Sequence, residues 1–295
     1  MSKALDRFLA PPPKNLGYNL DYLQRHVYQY YKNGLSVVPL EGIRPAVNPE
    51  EYTKRRPTPE EIRGWWGVNV NGSDIHEIYG KSENRYGVGI ICGSVSGNLI
   101  ALSFNDLEMF RQFFIALASH ATVNGEGIVR MSYHFIGRAW VMRDEGVKVL
   151  LRIKGNALAR FPSKVDKEIR DSEFPYAFNG AKVLGEGNFI VAPPSTVSEK
   201  YEADWRADIT NPVAAVTASE LTMLMKIIEK LSKGEALADD DFSITGSLFP
   251  ELGLSSETKA KKEPEKPPKE AKPEKGQRGQ NSLLAFLDET GSEGQ

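Results

Sequence analysis

The sequence lacks the features of a disulfide-linked, secreted or membrane-spanning protein. It has one cysteine, Cys92, in 295 residues, which excludes an internal disulfide and a cysteine-based zinc site. Because Cys92 lies in an apolar run, we expect it to be a core residue rather than a nucleophile. No apolar run approaches the length of a membrane span, and the N-terminus has no apolar segment of the signal-peptide type. These absences predict an intracellular protein without a membrane partner.

The sequence also lacks a strong excess of either charge. Its formal net charge is −2, so the chain as a whole is not a polycation that binds nucleic acid through its total charge. Any basic binding surface must therefore be local. The contents of 40% hydrophobic and 26% charged residues are typical of a globular protein.

Composition divides the chain into four segments. Residues 1–17 contain three consecutive prolines and little periodicity, which predicts a flexible arm. Residues 18–250 carry the helix and strand patterns of a folded domain. Residues 251–279 form a charged linker, in which residues 259–278 hold eight Lys or Arg, four Glu and four Pro, with no aromatic residue. This composition predicts an extended, disordered segment. Residues 280–287 are an apolar peptide at the end of that linker.

Helix starts are marked by polar caps. Thr58 with Glu61, and Thr217 with Glu220, match the capping box. Asp106 is expected to cap a helix that runs to about His120. The helix after Thr58 ends in two tryptophans, which we expect to pack in the core, although a base-stacking platform is the alternative.

One stretch predicts a site. Residues 98–106 read as a buried strand that follows a tight turn and leads directly into a helix. On a strand, residues i and i+2 share a face, so Ser103 and Asn105 should point together near the strand's end. Sites of α/β folds are commonly built at such ends.

Residues 93–106 resemble the first motif of the archaeo-eukaryotic primase superfamily, in particular the prim-pol branch of archaeal plasmids and viruses. Residues 34–40, the helix with paired tryptophans and residues 181–195, which end in Ala-Pro-Pro-Ser, resemble further parts of the same domain. The resemblance covers roughly residues 18–200. It implies an α+β fold, a mixed-sheet prim-pol domain with flanking helices, followed by the disordered tail.

The resemblance also implies that the catalytic positions are altered. The family's Asp-x-Asp pair, which holds the catalytic metal ions, is matched by Ser103 and Asn105, and its third carboxylate by Lys182. The histidine that contacts the nucleotide's phosphates is matched by Ala139. A second register keeps a histidine at His134; we favour the first, because it also matches residues 140–143.

Without carboxylates we expect no catalytic residue, no metal ion and no cofactor. Mg²⁺ and Mn²⁺ favour carboxylate oxygens, and Lys182 would place a positive charge where a dication belongs. Asp106, Glu108 and Glu186 could substitute only if the predicted registers were wrong. Arg130, Arg138, Arg143 and Lys182 are candidates to bind DNA or phosphate in the altered cleft, while the alternative for Lys182 is an ion pair with a nearby acid.

The C-terminal peptide resembles a PCNA-interacting box. Its key positions are Gln280, Leu283, Phe286 and Leu287. In a short 3₁₀ turn, residues three apart eclipse, so the three apolar side chains can form one plug. A terminal helix that folds back onto the domain is the alternative.

Together these features predict a non-catalytic, prim-pol-like accessory protein of DNA replication or repair, archaeal in origin and associated with the nucleoid. It would bind the sliding clamp PCNA and contact DNA, a polymerase or a primase subunit. One alternative is an active, divergent primase-polymerase that uses substitute carboxylates. Another is a plasmid or viral factor that captures the host clamp.

Overall fold

The computed structural model describes residues 3–11, 20–83, 86–120, 122–124, 127–129, 139–154, 177–195, 203–206 and 209–243. The chain divides into two compact units, Met1–Ser256 and Glu257–Gln295, and all described residues belong to the first. The predicted PCNA-interacting peptide and its linker lie outside the described residues.

The helices begin where capping side chains allow them to begin. Thr58 and Thr217 each accept from the backbone N–H three residues on, and each capping box is complete, as predicted. The described helices are α1 (Lys3–Leu9), α2 (Leu20–Lys32), α3 (Pro49–Tyr52), α4 (Pro59–Trp66), α5 (Ile75–Ile78), α6 (Leu107–Ser119) and α7 (Ala218–Ser232). None of them is both long and apolar enough to cross a bilayer.

The described strands form two larger sheets and one small hairpin. They are β1 (Ser36–Glu41), β2 (Arg44–Pro45), β3 (Gly87–Ile91), β4 (Leu99–Phe104), β5 (Thr122–Asn124), β6 (Gly127–Val129), β7 (Trp140–Arg143), β8 (Val147–Ile153), β9 (Ala177–Phe178), β10 (Ala181–Leu184), β11 (Phe189–Ala192), β12 (Asp204–Trp205) and β13 (Ala215–Val216). The seven-stranded sheet has the order β12-β7-β8-β4-β10-β9, with β13 beside β8, and the four-stranded sheet has the order β11-β3-β1-β2.

The two faces of the larger sheet serve different cores. One face, with Leu102 and Phe104 of β4, packs against α1, α6 and α7. The other face, with Leu99 and Ala101, packs against the smaller sheet and helices α2 and α4. This mixed α/β architecture, with helices flanking its sheets, agrees with the α+β prediction. Cys92 lies fully buried in the second core, as predicted, and burial raises the pKa of its thiol to about 12.

Strands β10 and β11 join the two sheets. They are consecutive, but β10 pairs with β4 of the larger sheet and β11 pairs with β3 of the smaller sheet. The turn between them, residues 185–188, therefore links the sheets. Where the sheets diverge they leave an open cleft beside the end of β4.

Three local predictions were wrong or incomplete. Residues 1–17 were predicted to be a flexible arm, but Lys3–Leu9 form α1, whose Leu5 and Phe8 are buried in the first core. The consecutive apolar runs at residues 127–131 and 137–143 predict a hairpin between them, but β6 pairs with β5, while β7 pairs with β8 and β12. The spacing of apolar residues in positions 19–33 predicts that Tyr22 lies on the buried stripe of α2, but it is 45% exposed, whereas Gln24 and His26 are buried. Trp66 is fully buried, as the packing interpretation predicted, and Trp65 packs edge-to-face on Tyr52.

Candidate functional site

The candidate site begins with a row of three side chains across adjacent strands. Ser103 on β4 lies opposite Lys182 on β10 and opposite Lys148 on β8. Directly opposed residues point to the same face, with Cβ atoms about 4.5–5.5 Å apart. Ser103 is therefore flanked by a lysine on each side.

This row forms part of the floor of a cleft of about 420 Å³. Asn105, two residues beyond Ser103, also lines the cleft, as their strand spacing predicted, and the structure brings Lys182 to the same cleft. Ser103 is 1% exposed, whereas Asn105 and Lys182 are exposed. Three positions that are separate in sequence thus share one surface.

The opposite wall of the cleft is largely apolar. It is built by β11 and by the turn between β1 and β2, with Phe189, Val191 and Ile43 among its lining residues. Ile43 is 54% exposed, which is unusual for a large aliphatic side chain in this domain. The cleft therefore combines a polar floor with an apolar wall.

Asp144 and Lys148 form a local pair inside the cleft. Asp144 Oδ2 accepts from Lys148 Nζ, and Asp144 Oδ1 accepts from the Gly146 N–H at 2.8 Å. The Asp144 side chain is 11% exposed and that of Lys148 is 16% exposed. Both oxygens of this carboxylate are therefore engaged, and the charge of Lys148 is balanced within the turn.

Lys182 has no such partner in the part of the chain that the structure describes, where no acid lies within 4 Å of its ammonium group. Glu145, in the turn after β7, is exposed and also lines the cleft. The cleft thus holds two lysines and two acids. One lysine and one acid neutralise each other, and Lys182 and Glu145 remain.

The three carboxylates considered as substitutes lie elsewhere. Asp106 is the N-cap of α6, where its Oδ1 accepts from the N–H groups of Glu108 and Met109. Glu108 pairs with Arg111 on the surface of the same helix. Glu186 accepts from the N–H and hydroxyl of Ser94 at 2.8 and 3.0 Å. None of the three lines the cleft.

The two remaining candidate residues that the structure describes, Arg143 and Ala139, do not reach the cleft either. Arg143 is 5% exposed, and its Nη1 donates to the carbonyl oxygens of Asp144 and Gly146. Its guanidinium group therefore stabilises the turn between β7 and β8. Ala139 is buried in the core on the helix side of the larger sheet, so the residue matched with the family's histidine does not face the cleft. Arg130, Arg138 and His134 lie outside the described residues, as do Gln280, Leu283, Phe286 and Leu287.

A scan against protein-family models found one match. Residues 28–217, more than half of the chain, match the Prim-Pol family, described as the N-terminal domain of bifunctional DNA primase/polymerases. The chain belongs to the Prim-Pol family. No curated protein matches the chain.

The cleft of this Prim-Pol domain does not fit the metal ions that the family resemblance implies. The groups at the three matched positions are a hydroxyl, an amide and an ammonium group, whereas Mg²⁺ and Mn²⁺ favour carboxylate oxygens, and an ammonium group cannot coordinate a cation. Within the described residues, no group of three or more His, Cys, Asp or Glu side chains could hold a metal ion.

Sequence reasoning missed several residues of the Prim-Pol cleft. Lys148, Asp144, Glu145, Ile43 and Phe189 all line it, and none was a candidate. One signal was available for Lys148, because it is one of only two charged residues, with Arg152, in a strand whose other residues are apolar. Local sequence does not show that Lys148 lies opposite Ser103 in the sheet.

Proposed function

We propose that this Prim-Pol protein is a non-catalytic accessory factor of DNA replication or repair. One observation carries the proposal: Ser103, Asn105 and Lys182, the residues at the three carboxylate positions, share one cleft. The resemblance matches these positions with the family's carboxylates, and here they carry a hydroxyl, an amide and an ammonium group, which supports the proposal.

Electrostatics supports the loss of catalysis. Two-metal phosphoryl transfer needs anionic ligands that hold both cations against the reacting oxygens. At an effective dielectric constant near 20, a unit charge about 4 Å from another contributes roughly 4 kcal/mol, so an ammonium group at the centre of the site opposes a dication strongly. Lys182 is that group, and Lys148 stands on the other side of Ser103.

Nucleotide incorporation tests this part of the proposal. We expect the full-length protein to extend neither a primed nor an unprimed DNA template with Mg²⁺ or Mn²⁺ present. The second candidate function, a divergent enzyme, is favoured by one observation, the presence of Asp144 and Glu145 in the cleft. Metal-dependent incorporation that Asp144→Asn or Glu145→Gln abolishes would overturn the non-catalytic proposal.

We further propose that residues 280–287 bind PCNA. The support is the spacing of Gln280, Leu283, Phe286 and Leu287 at the end of a linker rich in charge and proline. An extended linker lets such a peptide dock while the domain acts at a distance.

Calorimetric titration of the full-length protein into the sliding clamp of its own organism tests whether residues 280–287 bind PCNA. We expect micromolar or tighter binding that Phe286→Ala/Leu287→Ala abolishes. Leu284→Ala is the matched control, since it removes a similar side chain from a position outside the box, and it should bind as the unaltered protein does. If the unaltered protein does not bind the clamp, the proposal that residues 280–287 bind PCNA is wrong.

Clamp binding in the nucleoid is compatible with two origins of the protein. It is either a chromosomal protein, or a factor of a plasmid or virus that captures the host clamp. The genes next to this one would distinguish the two origins. DNA, a polymerase and a primase subunit are the proposed partners of the domain.

A further inference from the structure

Strand β11 forms one edge of the smaller sheet, and this edge borders the cleft. Among the described strands β11 pairs only with β3, at the end of the order β11-β3-β1-β2. Its consecutive residues Ile190 and Val191 point to opposite faces of the sheet, yet both line the cleft. A surface that two such residues share is the edge of their strand rather than one of its faces. The edge of β11 therefore opens into the cleft.

The hydrogen-bond register turns backbone groups of β11 toward this edge. Ile190 lies opposite Ile90 of β3. Two residues earlier, the carbonyl oxygen of Asn188 accepts from the Cys92 N–H, which makes these two a hydrogen-bonded pair. Antiparallel partners alternate between bonded and non-bonded pairs, so Ile190 bonds to β3, and the N–H and C=O of Val191 point away from β3. Within the described residues no strand pairs with these two groups.

Strand β11 lacks the features that commonly protect an edge strand from pairing. Lysine, proline or a bulge usually blocks such an edge. The residues of β11, Phe189–Ala192, are all apolar, and their register with β3 is continuous. Because an unblocked edge is a template for a further strand, the edge of β11 can accept an extended peptide.

An added strand would extend both faces of the smaller sheet. On the outer face, Val191 and Phe189 are half-buried and pack, together with Val95, against a small apolar core formed in part by Val38 and Ile91. Directly opposed residues of an antiparallel pair point to the same face. Apolar side chains of the added strand would therefore continue this outer surface.

Charge complementarity selects the side chains of the inner face, which would lie over the floor of the cleft. Lys182 on that floor is exposed and, within the described residues, has no ion pair. A carboxylate of the added strand would pair with it. Glu145 also lines the cleft and would repel an acidic run. The inner face thus favours a single carboxylate, with neutral residues at the other positions.

We propose that the edge of β11 binds an extended segment of a partner protein as an antiparallel strand, with apolar side chains at alternate positions and a carboxylate beside Lys182. Every pairing of the smaller sheet is antiparallel, which gives the direction. A second copy of this chain fits less well, because it would bring a second Lys182 to the same edge. The inference rests on the proposed function, since metal ions and a nucleotide in the cleft would exclude the strand.

Fluorescence anisotropy with synthetic peptides tests the charge complementarity on the full-length protein. The probe is a fluorescein-labelled peptide of nine residues, in which threonine alternates with valine and the central threonine is replaced by glutamate. We expect it to bind, and a matched peptide with central lysine to bind roughly tenfold more weakly. Lys182→Glu should reverse this preference. Lys154→Glu, the same charge change at an exposed residue outside the cleft, should leave the preference unchanged.

Methylation of the peptide's backbone nitrogens tests the pairing itself. The peptide residues that bond to Val191 share its face, and these are the valines. The glutamate peptide with N-methylated valines should bind roughly tenfold more weakly or not at all, since it lacks these hydrogen bonds. The same peptide N-methylated at threonine and glutamate is the control, and it should retain binding, because those N–H groups point away from β11.

A variant of the protein provides the complementary test. Val191→Pro removes the N–H that points to the open edge and leaves the hydrogen bonds to β3 in place, as is tolerated for proline in edge strands. It should lose binding roughly tenfold or more, whereas Val191→Thr should retain it. Urea unfolding checks that both variants are folded. If Val191→Pro is unfolded, the N-methylated peptides decide the question with the unaltered protein.

Three results would overturn the proposal: absence of binding by the glutamate peptide, an equal effect of the two sets of N-methyl groups, or an equal effect of Lys182→Glu and Lys154→Glu. Analytical ultracentrifugation tests the other occupant. A dimer of the unaltered protein that Val191→Pro converts to a monomer would assign the edge to a second copy and contradict the proposal. Primer extension and clamp titration do not depend on these results, so failure here is separable from failure of the proposed function.

Discussion

Gly146 shows how single residues shape the cleft. It follows Asp144 and Glu145 in the turn between β7 and β8, and its N–H donates to Asp144 Oδ1. A Cβ atom built on Gly146 would lie 2.2 Å from the carbonyl oxygen of Phe104. Because that neighbour is backbone at the end of β4, it cannot turn aside as a flexible side chain would.

Replacement of Gly146 by alanine should therefore destabilise the domain. We expect Gly146→Ala to lower the free energy of unfolding by about 1–3 kcal/mol, the usual range for an added methyl group without space. Gly64→Ala is the control, because nothing lies within 4 Å of the added Cβ in α4, and it should raise stability by about 0.5–1 kcal/mol. Urea unfolding measures both. A Gly146→Ala protein as stable as the parent would contradict the clash.

At this scale the sequence predicted part of the site. Ser103 and Asn105 share a face because strand geometry is local, and their common surface followed from spacing alone. Lys182 joined them through the resemblance. Lys148 was missed because its position beside Ser103 depends on β8 pairing with β4, over 40 residues away. Ala139 was matched to a histidine from local motif order, which does not determine on which side of the larger sheet this residue, just before β7, lies.

Whole elements were predicted best where their signals are local. The caps at Thr58, Asp106 and Thr217 depend on residues two or three positions away, so short sequence windows contain the information. Strand pairing depends on distant residues, which explains why the partner of β6 was predicted wrongly. The same limit applies to the division of β10 and β11 between two sheets.

Asp106 provides a test at the scale of one element. Its carboxylate caps α6, so Asp106→Ala should cost about 1 kcal/mol of unfolding free energy, while Asp106→Asn should restore most of that loss, since asparagine is an equally good N-cap. Thermal or urea unfolding checks the expected order of stability, in which the parent is the most stable, Asp106→Asn is next and Asp106→Ala is the least stable.

The same pair of variants separates a structural from a catalytic carboxylate. An amide accepts the capping hydrogen bonds but is a poor ligand for Mg²⁺. If Asp106→Asn kept its stability yet lost a metal-dependent activity, the assignment of Asp106 to the cap alone would be wrong.

An ion-pair cluster and a ring stack join the segment after α7 to helices α6 and α7. Asp241 follows α7 in a short 3₁₀ turn, and its buried carboxylate pairs with Lys226 and Lys230 at 2.9 and 2.8 Å. The next residue, Phe242, stacks on His120 at the end of α6 with ring centroids 3.8 Å apart. These contacts tie the last described segment to two helices.

Two carboxylates make the stability of the domain sensitive to acid. Burial alone would raise the pKa of Asp241, but the Ala238 N–H and the ammonium groups of Lys230 and Lys226 outweigh it and lower the pKa to about 2. Hydrogen bonds from Arg55 lower the pKa of Glu61 to about 2. Both pKa values lie below those of the unfolded chain, so this stabilisation is present near neutral pH and is lost as the pH falls from about 5 toward 2.

Asp241→Asn should therefore reduce stability near neutral pH by about 1–2 kcal/mol, a value that allows for screening of the partly exposed lysines. The difference from the parent should narrow as the pH falls below about 4, because the parent carboxylate loses its advantage there. Denaturant unfolding at several pH values measures this. A difference that stays constant with pH would show that the ion pairs of Asp241 do not stabilise the fold.

The row of Ser103 between Lys148 and Lys182 has an evolutionary consequence. If Ser103 were changed back to aspartate, the new carboxylate would lie beside two ammonium groups. It would pair with Lys182, since Asp144 already holds Lys148, and we expect the domain to gain an ion pair rather than a cation site. If the domain is non-catalytic, as proposed, metal-dependent chemistry would require changes at Ser103, Asn105 and Lys182 together. Each intermediate along that path would then offer no activity for selection to favour, so a site altered in this way is expected to persist in a lineage once it has formed.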